Sequence, residues 1–195
     1  LSDDILIVKI TKERSVAATA RFRKDALDDT LAAVDIATGK QLWRKQGTRV
    51  MPYALSAQDG RVVYHNMEEL VCLDAKTGNE SWRQPNQIDS TLGGSSTLVL
   101  SDGVVLFHGH GRTEKPAAGG GKKPKAALHL TALSLDDGRA LWRRTGNRSL
   151  AGACTQPTDV FVVGGIVWCG NSMEGCNFHT GQVEKTLMPE NMISP

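Results

Sequence analysis

Short runs of alternating apolar and polar residues, each ended by a glycine-containing turn, fill most of the chain. In "LAAVDIATGKQLWR" (31–44), Leu31, Ala33 and Asp35 alternate with Ala32, Val34 and Ile36, the two-residue period of a strand with distinct faces. A turn follows at Thr38-Gly39, where glycine supplies the positive φ that a tight hairpin needs. The phrase returns as "LVCLDAKTGNESWR" (70–83), as "LTALSLDDGRALWR" (130–143) and, worn, as "MEGCNFHTGQVEKTL" (173–187). Its glycines are Gly39, Gly78, Gly138 and Gly181, a period of about 40 residues with one longer interval. Trp43, Trp82 and Trp142 stand four residues after the first three glycines, a fixed place on the outgoing strand from which a ring can pack on a neighbouring unit.

A second strand pair precedes each later copy. "YALSAQDGRVVYH" (53–65), "STLVLSDGVVLFH" (96–108) and "PTDVFVVGGIVWC" (157–169) each place a turn between two β-rich runs. Four strands per unit at this period predict an all-β chain, a β-propeller of four-stranded antiparallel blades. About four blades are expected, over 1–46, 50–84, 94–145 and 153–188. The first is incomplete, because Asp3-Asp4 and Ile5 to Ile10 read as a turn and a second strand. The segment is therefore expected to be an arc of a larger propeller, with insertions at 11–30 and 111–127. Residues 111–127 combine Gly, Pro, Ala and Lys without a large apolar side chain, which predicts a solvated loop.

The pattern in "AVDIATGKQLW" and "CLDAKTGNESW", with Asp35, Gly39 and Trp43 repeated as Asp74, Gly78 and Trp82, resembles the repeats of the pyrroloquinoline quinone (PQQ)-like β-propeller superfamily. The resemblance implies the propeller fold and an extracytoplasmic location. It leaves two functions open, because that superfamily holds both PQQ-dependent dehydrogenases and a non-enzymatic scaffold of the outer-membrane assembly machinery. "PTDVFVVGGIVWCGNS" and the closing "NMISP" are similar, more faintly, to the repeat domains of large planctomycete multidomain proteins.

Composition narrows the choice only slightly. A net charge of +2 on 195 residues does not select nucleic acid as a partner, and the lysines of 111–127 lack the interleaved aromatics that such binding uses. No apolar run is long enough to cross a bilayer. The resemblance would imply a catalytic Asp, a calcium ion and adjacent cysteines in the enzymatic branch. The chain has no adjacent cysteines and no run of oxygen ligands, so no catalytic residue is expected.

Two weaker chemistries stand out. His108 and His110 lie two apart in "FHGHG", on one face of a strand, and with His129 could hold zinc or copper. Cys169 and Cys176 bracket six residues and, as hairpin partners, could form a disulfide. The reading that emerges is a non-catalytic module that binds or scaffolds a protein partner or neighbouring domains. The alternative is part of a quinone- or metal-dependent oxidoreductase completed by other blades, with PQQ as its cofactor.

Overall fold

The computed structural model describes residues 3–11, 29–51, 53–86, 96–112, 126–146, 160–169 and 174–186. These form fifteen strands, and among the described residues there is no helix long and apolar enough to cross a membrane. The first sheet holds β1 (Ile5–Thr11), β2 (Asp29–Asp35) and β3 (Gln41–Thr48). The second holds β4 (Leu55–Gln58), β5 (Arg61–His65), β6 (Glu69–Asp74) and β7 (Glu80–Pro85). The third holds β8 (Thr97–Ser101), β9 (Val104–Arg112), β10 (Ala126–Ser134) and β11 (Ala140–Gly146). The last holds β12 (Val160–Val163), β13 (Ile166–Cys169), β14 (Glu174–Asn177) and β15 (Val183–Thr186). Each sheet is an antiparallel meander, one propeller blade. The first strands β4, β8 and β12 lie against one another, so they are the inner strands of the arc and β3, β7, β11 and β15 the outer ones.

Alternation within a strand assigns side chains to opposite blade interfaces. In β5, Val62 and Tyr64 join Ile5, Leu31 and Ala33 of the first blade, whereas Val63 joins Leu98, Val105 and Phe107 of the third. In β9, Val104 and Leu106 pack with Val160, Val167 and Phe178 of the fourth. Three apolar clusters result, one for each blade interface, and the middle strands are buried on both faces.

The repeated turns are built by their own polar residues. Thr38 donates its hydroxyl and N–H to Asp35 Oδ1 at 2.7 and 2.8 Å, and Thr77 does the same to Asp74 Oδ1 at 2.9 and 2.8 Å. The Thr38 hydroxyl, then its N–H, holds the exposed Asp35 carboxyl below the usual carboxylate range. Asp74 is lowered first by the Thr77 N–H and then by its hydroxyl. Asn177 replaces the aspartate in the last blade and accepts from the N–H groups of His179 and Thr180, both at 2.9 Å.

The strands reach further into the insertions than the sequence suggests. Thr11 ends β1 opposite Asp29, so the first connection spans 12–28 rather than 11–30. Gly111 and Arg112 belong to β9 and pair with Ala127 and Ala126 of β10, which moves the other insertion to 113–125. Backbone pairing carries a hairpin on past the last apolar residue wherever its register allows.

Candidate binding face

Every blade has two unlike ends. At one end lie the tight turns, Asp59-Gly60, Asp102-Gly103 and Gly164-Gly165 inside each first hairpin and the Thr-Gly or Asp-Gly turns inside each second one. Backbone bonds tie the two turns of a blade together: Ala75 N–H to Gly60 O at 2.9 Å, Leu135 N–H to Gly103 O at 2.8 Å and Phe178 N–H to Gly165 O at 3.0 Å. The meander sends all the longer connections to the other end: 12–28, 113–125 and the links between blades.

Buried ionisable groups gather toward that second end. In the first blade Asp29 is fully buried; it accepts from the Thr11 hydroxyl at 2.8 Å and the Val50 N–H at 3.2 Å, with Lys9 Nζ 3.2 Å away. Lys9 also donates to Val50 O at 2.7 Å, so the pair closes its blade end with its polar capacity engaged. In the second blade His65 is fully buried against Phe107, with ring centroids 4.6 Å apart. Its Nε2 faces Asn86 O at 2.7 Å and its Nδ1 accepts the Met67 N–H at 3.2 Å. These partners fix the neutral tautomer with the proton on Nε2. In the third blade His108 is buried at the same place, five residues after its turn glycine as His65 is after Gly60. His129 is buried too, and burial followed by the nearby Arg143 lowers its pKa.

Burial pushes the His65 pKa down to about 4, partly countered by the Asn86 carbonyl. A folded-state pKa below that of the unfolded chain means stability that is present above about pH 6.5 and lost as pH falls toward 4. The expected loss is roughly 2 to 3 kcal/mol, read as a falling urea midpoint between pH 7 and 4.5. His65→Gln should flatten that part of the profile; an unchanged slope in the variant would assign it to other groups.

The structure does not bring the three candidate metal ligands together. His108 lies opposite Leu130 and His129 opposite Gly109, so their side chains leave opposite faces of the third blade. His110 lies in β9 opposite Leu128. Among the described residues no three His, Cys, Asp or Glu stand close enough to share a metal ion.

The disulfide expectation is corrected as well. Cys72, Cys169 and Cys176 are free thiols. Cys176 pairs with Val167 and Cys169 with Glu174, so the two cysteines are diagonal neighbours on one face, about 7 Å apart in Cα and beyond the usual disulfide span. Arg144 of the third blade reaches both Cys176 Sγ and Glu174, the latter at 3.1 Å. Burial pushes the Cys169 and Cys72 thiols up to about 12, which leaves them protonated and inert at neutral pH.

The tryptophans do connect the blades. Trp43 Nε1 donates to Ala75 O at 2.8 Å, Trp82 Nε1 to Leu135 O at 2.8 Å and Trp142 Nε1 to Phe178 O at 2.9 Å. Each acceptor lies three residues before the next blade's turn glycine, and each ring lies on that glycine. A Cβ at Gly78, Gly138 or Gly181 would stand 2.7 Å from the ring of Trp43, Trp82 or Trp142.

A quinone with its calcium would need carboxylate and amide oxygens turned toward a common point. The repeat carboxylates Asp35 and Asp74 are bound into their own turns, and Asp29 is engaged by Lys9, Thr11 and Val50. The described residues therefore do not fit that group.

Residues 27–188 match a family model described as outer membrane protein assembly factor BamB. No curated protein matches. Among solved structures, BamB from Moraxella catarrhalis is 21% identical with a TM-score of 0.56, over 80% of this chain and 46% of that one. Quinohemoprotein alcohol dehydrogenase from Comamonas testosteroni is 15% identical with a TM-score of 0.55, over 83% of this chain and 32% of that one. The computationally designed Ika8 protein is 19% identical with a TM-score of 0.57, over 96% of this chain and 47% of that one. The chain thus spans less than half the length of these structures, and the likeness is one of fold.

Proposed function

The chain belongs to the PQQ-like repeat family described as outer membrane protein assembly factor BamB, and on that premise we propose that it is a non-catalytic binding or scaffold module of the cell envelope. Its partner is a protein or neighbouring domains, met by the connections that leave one end of the blades. One observation carries this reading: the repeat carboxylates are spent on turns at the opposite end, while Asp29, His65, His108 and His129 are buried rather than presented to a ligand. A rigid meander with variable connections on one face is a display surface, the usual way a scaffold separates stability from recognition.

The competing reading is an oxidoreductase that uses a quinone and is completed by blades beyond those described. Titrating the chain with PQQ, with and without calcium, and following heat and quinone absorbance separates the two. Binding is expected to be absent through high micromolar quinone. Saturable one-to-one binding that requires calcium would establish the oxidoreductase reading instead.

A further inference from the structure

We propose that Cys169 and Cys176, with Arg144 reaching them across the interface of the third and fourth blades, form a site for a soft monovalent cation, copper(I), held between the two sulfur atoms.

The other blades show what these positions hold when packing alone decides. Four residues after the turn glycine of its first hairpin the fourth blade has Cys169, where the second and third have Tyr64 and Phe107. Five residues before the next turn glycine it has Cys176, where the others have Val34, Leu73 and Leu133. Seven before that glycine stands Glu174 in place of Ala32, Val71 and Thr131. Facing them from the third blade is Arg144, six residues after Gly138, where the first two blades have Lys45 and Gln84. Lys45 donates to Gly78 O at 2.9 Å and Gln84 lies beside Gly138, whereas Arg144 contacts Cys176 Sγ and Glu174. Two thiols, a carboxylate and a guanidinium thus enter together at one interface, and both thiols are buried there, at 4% and 2% exposed.

The register sets the spacing. Cys169 and Cys176 share a face of the β13–β14 pair as diagonal neighbours. A separation of about 7 Å in Cα is too wide for a sulfur–sulfur bond of about 2 Å, but it suits two metal–sulfur bonds of about 2.3 Å laid end to end. The second thiol, Arg144 and Glu174 all act electrostatically on Cys169.

The ligand set selects the ion. Thiolates favour soft cations, and a structural zinc would need four ligands. Glu174 is engaged by Arg144 at 3.1 Å, and among the described residues no three His, Cys, Asp or Glu are placed to hold a metal. Two sulfur ligands suit copper(I), a filled-shell ion that accepts linear coordination. Binding displaces the thiol protons that burial retains: two protons leave to solvent as one positive charge enters, so the bis-thiolate centre carries a single negative charge. Arg144 supplies the compensating charge and a hydrogen bond to Cys176 Sγ, and Glu174 orients the guanidinium. Sulfur fills both coordination positions, so the ion ties β13 to β14 and offers no place to a substrate. This inference is independent of what the connections between strands bind.

The test is an anaerobic titration of the fully reduced chain with copper(I) supplied in acetonitrile, followed by thiolate-to-copper ultraviolet absorbance and by X-ray absorption at the copper edge. One ion per chain is expected to saturate the absorbance, with two sulfur atoms as its whole first shell. Cys169→Ala and Cys176→Ala each abolish that step, whereas Cys72→Ala and Cys154→Ala keep it. Arg144→Gln leaves every thiol in place and the blade core intact; it is expected to weaken binding about tenfold or more with the sulfur count unchanged. Absence of a saturable step, a step that survives loss of Cys169 or Cys176, a third ligand atom in the shell, or undiminished affinity in Arg144→Gln overturns the proposal. A PQQ titration does not read this site, so failure here and failure of the binding-module reading are separate results.

Discussion

Replacing Trp82 with alanine is expected to destabilise the chain by about 5 kcal/mol, the upper end for removing a large aromatic from a core. The ring is 8% exposed and closes the cluster that joins the second and third blades through Met51, Ala54, Leu98, Phe107 and Leu133. Its loss leaves a cavity that strands fixed on both sides cannot fill, and deprives the buried Leu135 carbonyl of its 2.8 Å donor. Trp82→Phe keeps most of the apolar surface and loses the N–H, so a smaller cost of about 2 kcal/mol is expected. Urea unfolding of both variants measures the two costs. Equal and small shifts would mean that the tryptophan decorates the interface rather than holding it.

Gly138→Ala is the second large effect, at roughly 4 kcal/mol. Two costs add at this position. Alanine is strained at φ +71, and its Cβ would stand 2.7 Å from Trp82 Cε3 and 3.0 Å from Gln84 Cγ. Gly39→Ala, at φ +68 with nothing within 4 Å, carries the backbone strain alone, about 1 to 2 kcal/mol. The difference between the two alanines therefore measures the contact with the indole and, to a smaller extent, with the end of the flexible Gln84 side chain. In a Trp82→Ala background most of that difference should disappear, a double-mutant cycle in which the glycine and the indole report on each other. Persistence of the full difference without Trp82 would place the strain elsewhere in the turn.

The propeller was legible because its turns are chemically demanding. A positive φ at Gly39, Gly78, Gly138 and Gly181 leaves few alternatives to glycine, so the repeat survives where strand residues drift. Strand ends were harder to read. Asp29 looks like a member of a charged insertion, yet it is fully buried and pairs at 3.2 Å with the half-buried Lys9, because β1 and β2 continue pairing to Thr11 and Asp29. The histidines show a limit of local spacing. His108 and His110 catch the eye two residues apart, whereas the informative partner of His108 is His65, which occupies the same position one repeat earlier. Distance from the turn glycine, rather than distance between histidines, carries that signal. For Cys169 and Cys176 the obstacle is register: a symmetrical hairpin would face them together, and the one that forms pairs Cys169 with Glu174. Nothing in six intervening residues announces an offset of two.

The indole contacts run one way around the arc, each of the first three blades giving a ring to the turn glycine of the blade that follows. Donor and receiver are thus written into one stretch of about 40 residues. A gene that duplicates such a stretch acquires both halves of a working joint at once, and one that deletes it removes both. Copy number can therefore change without fresh joints having to be invented.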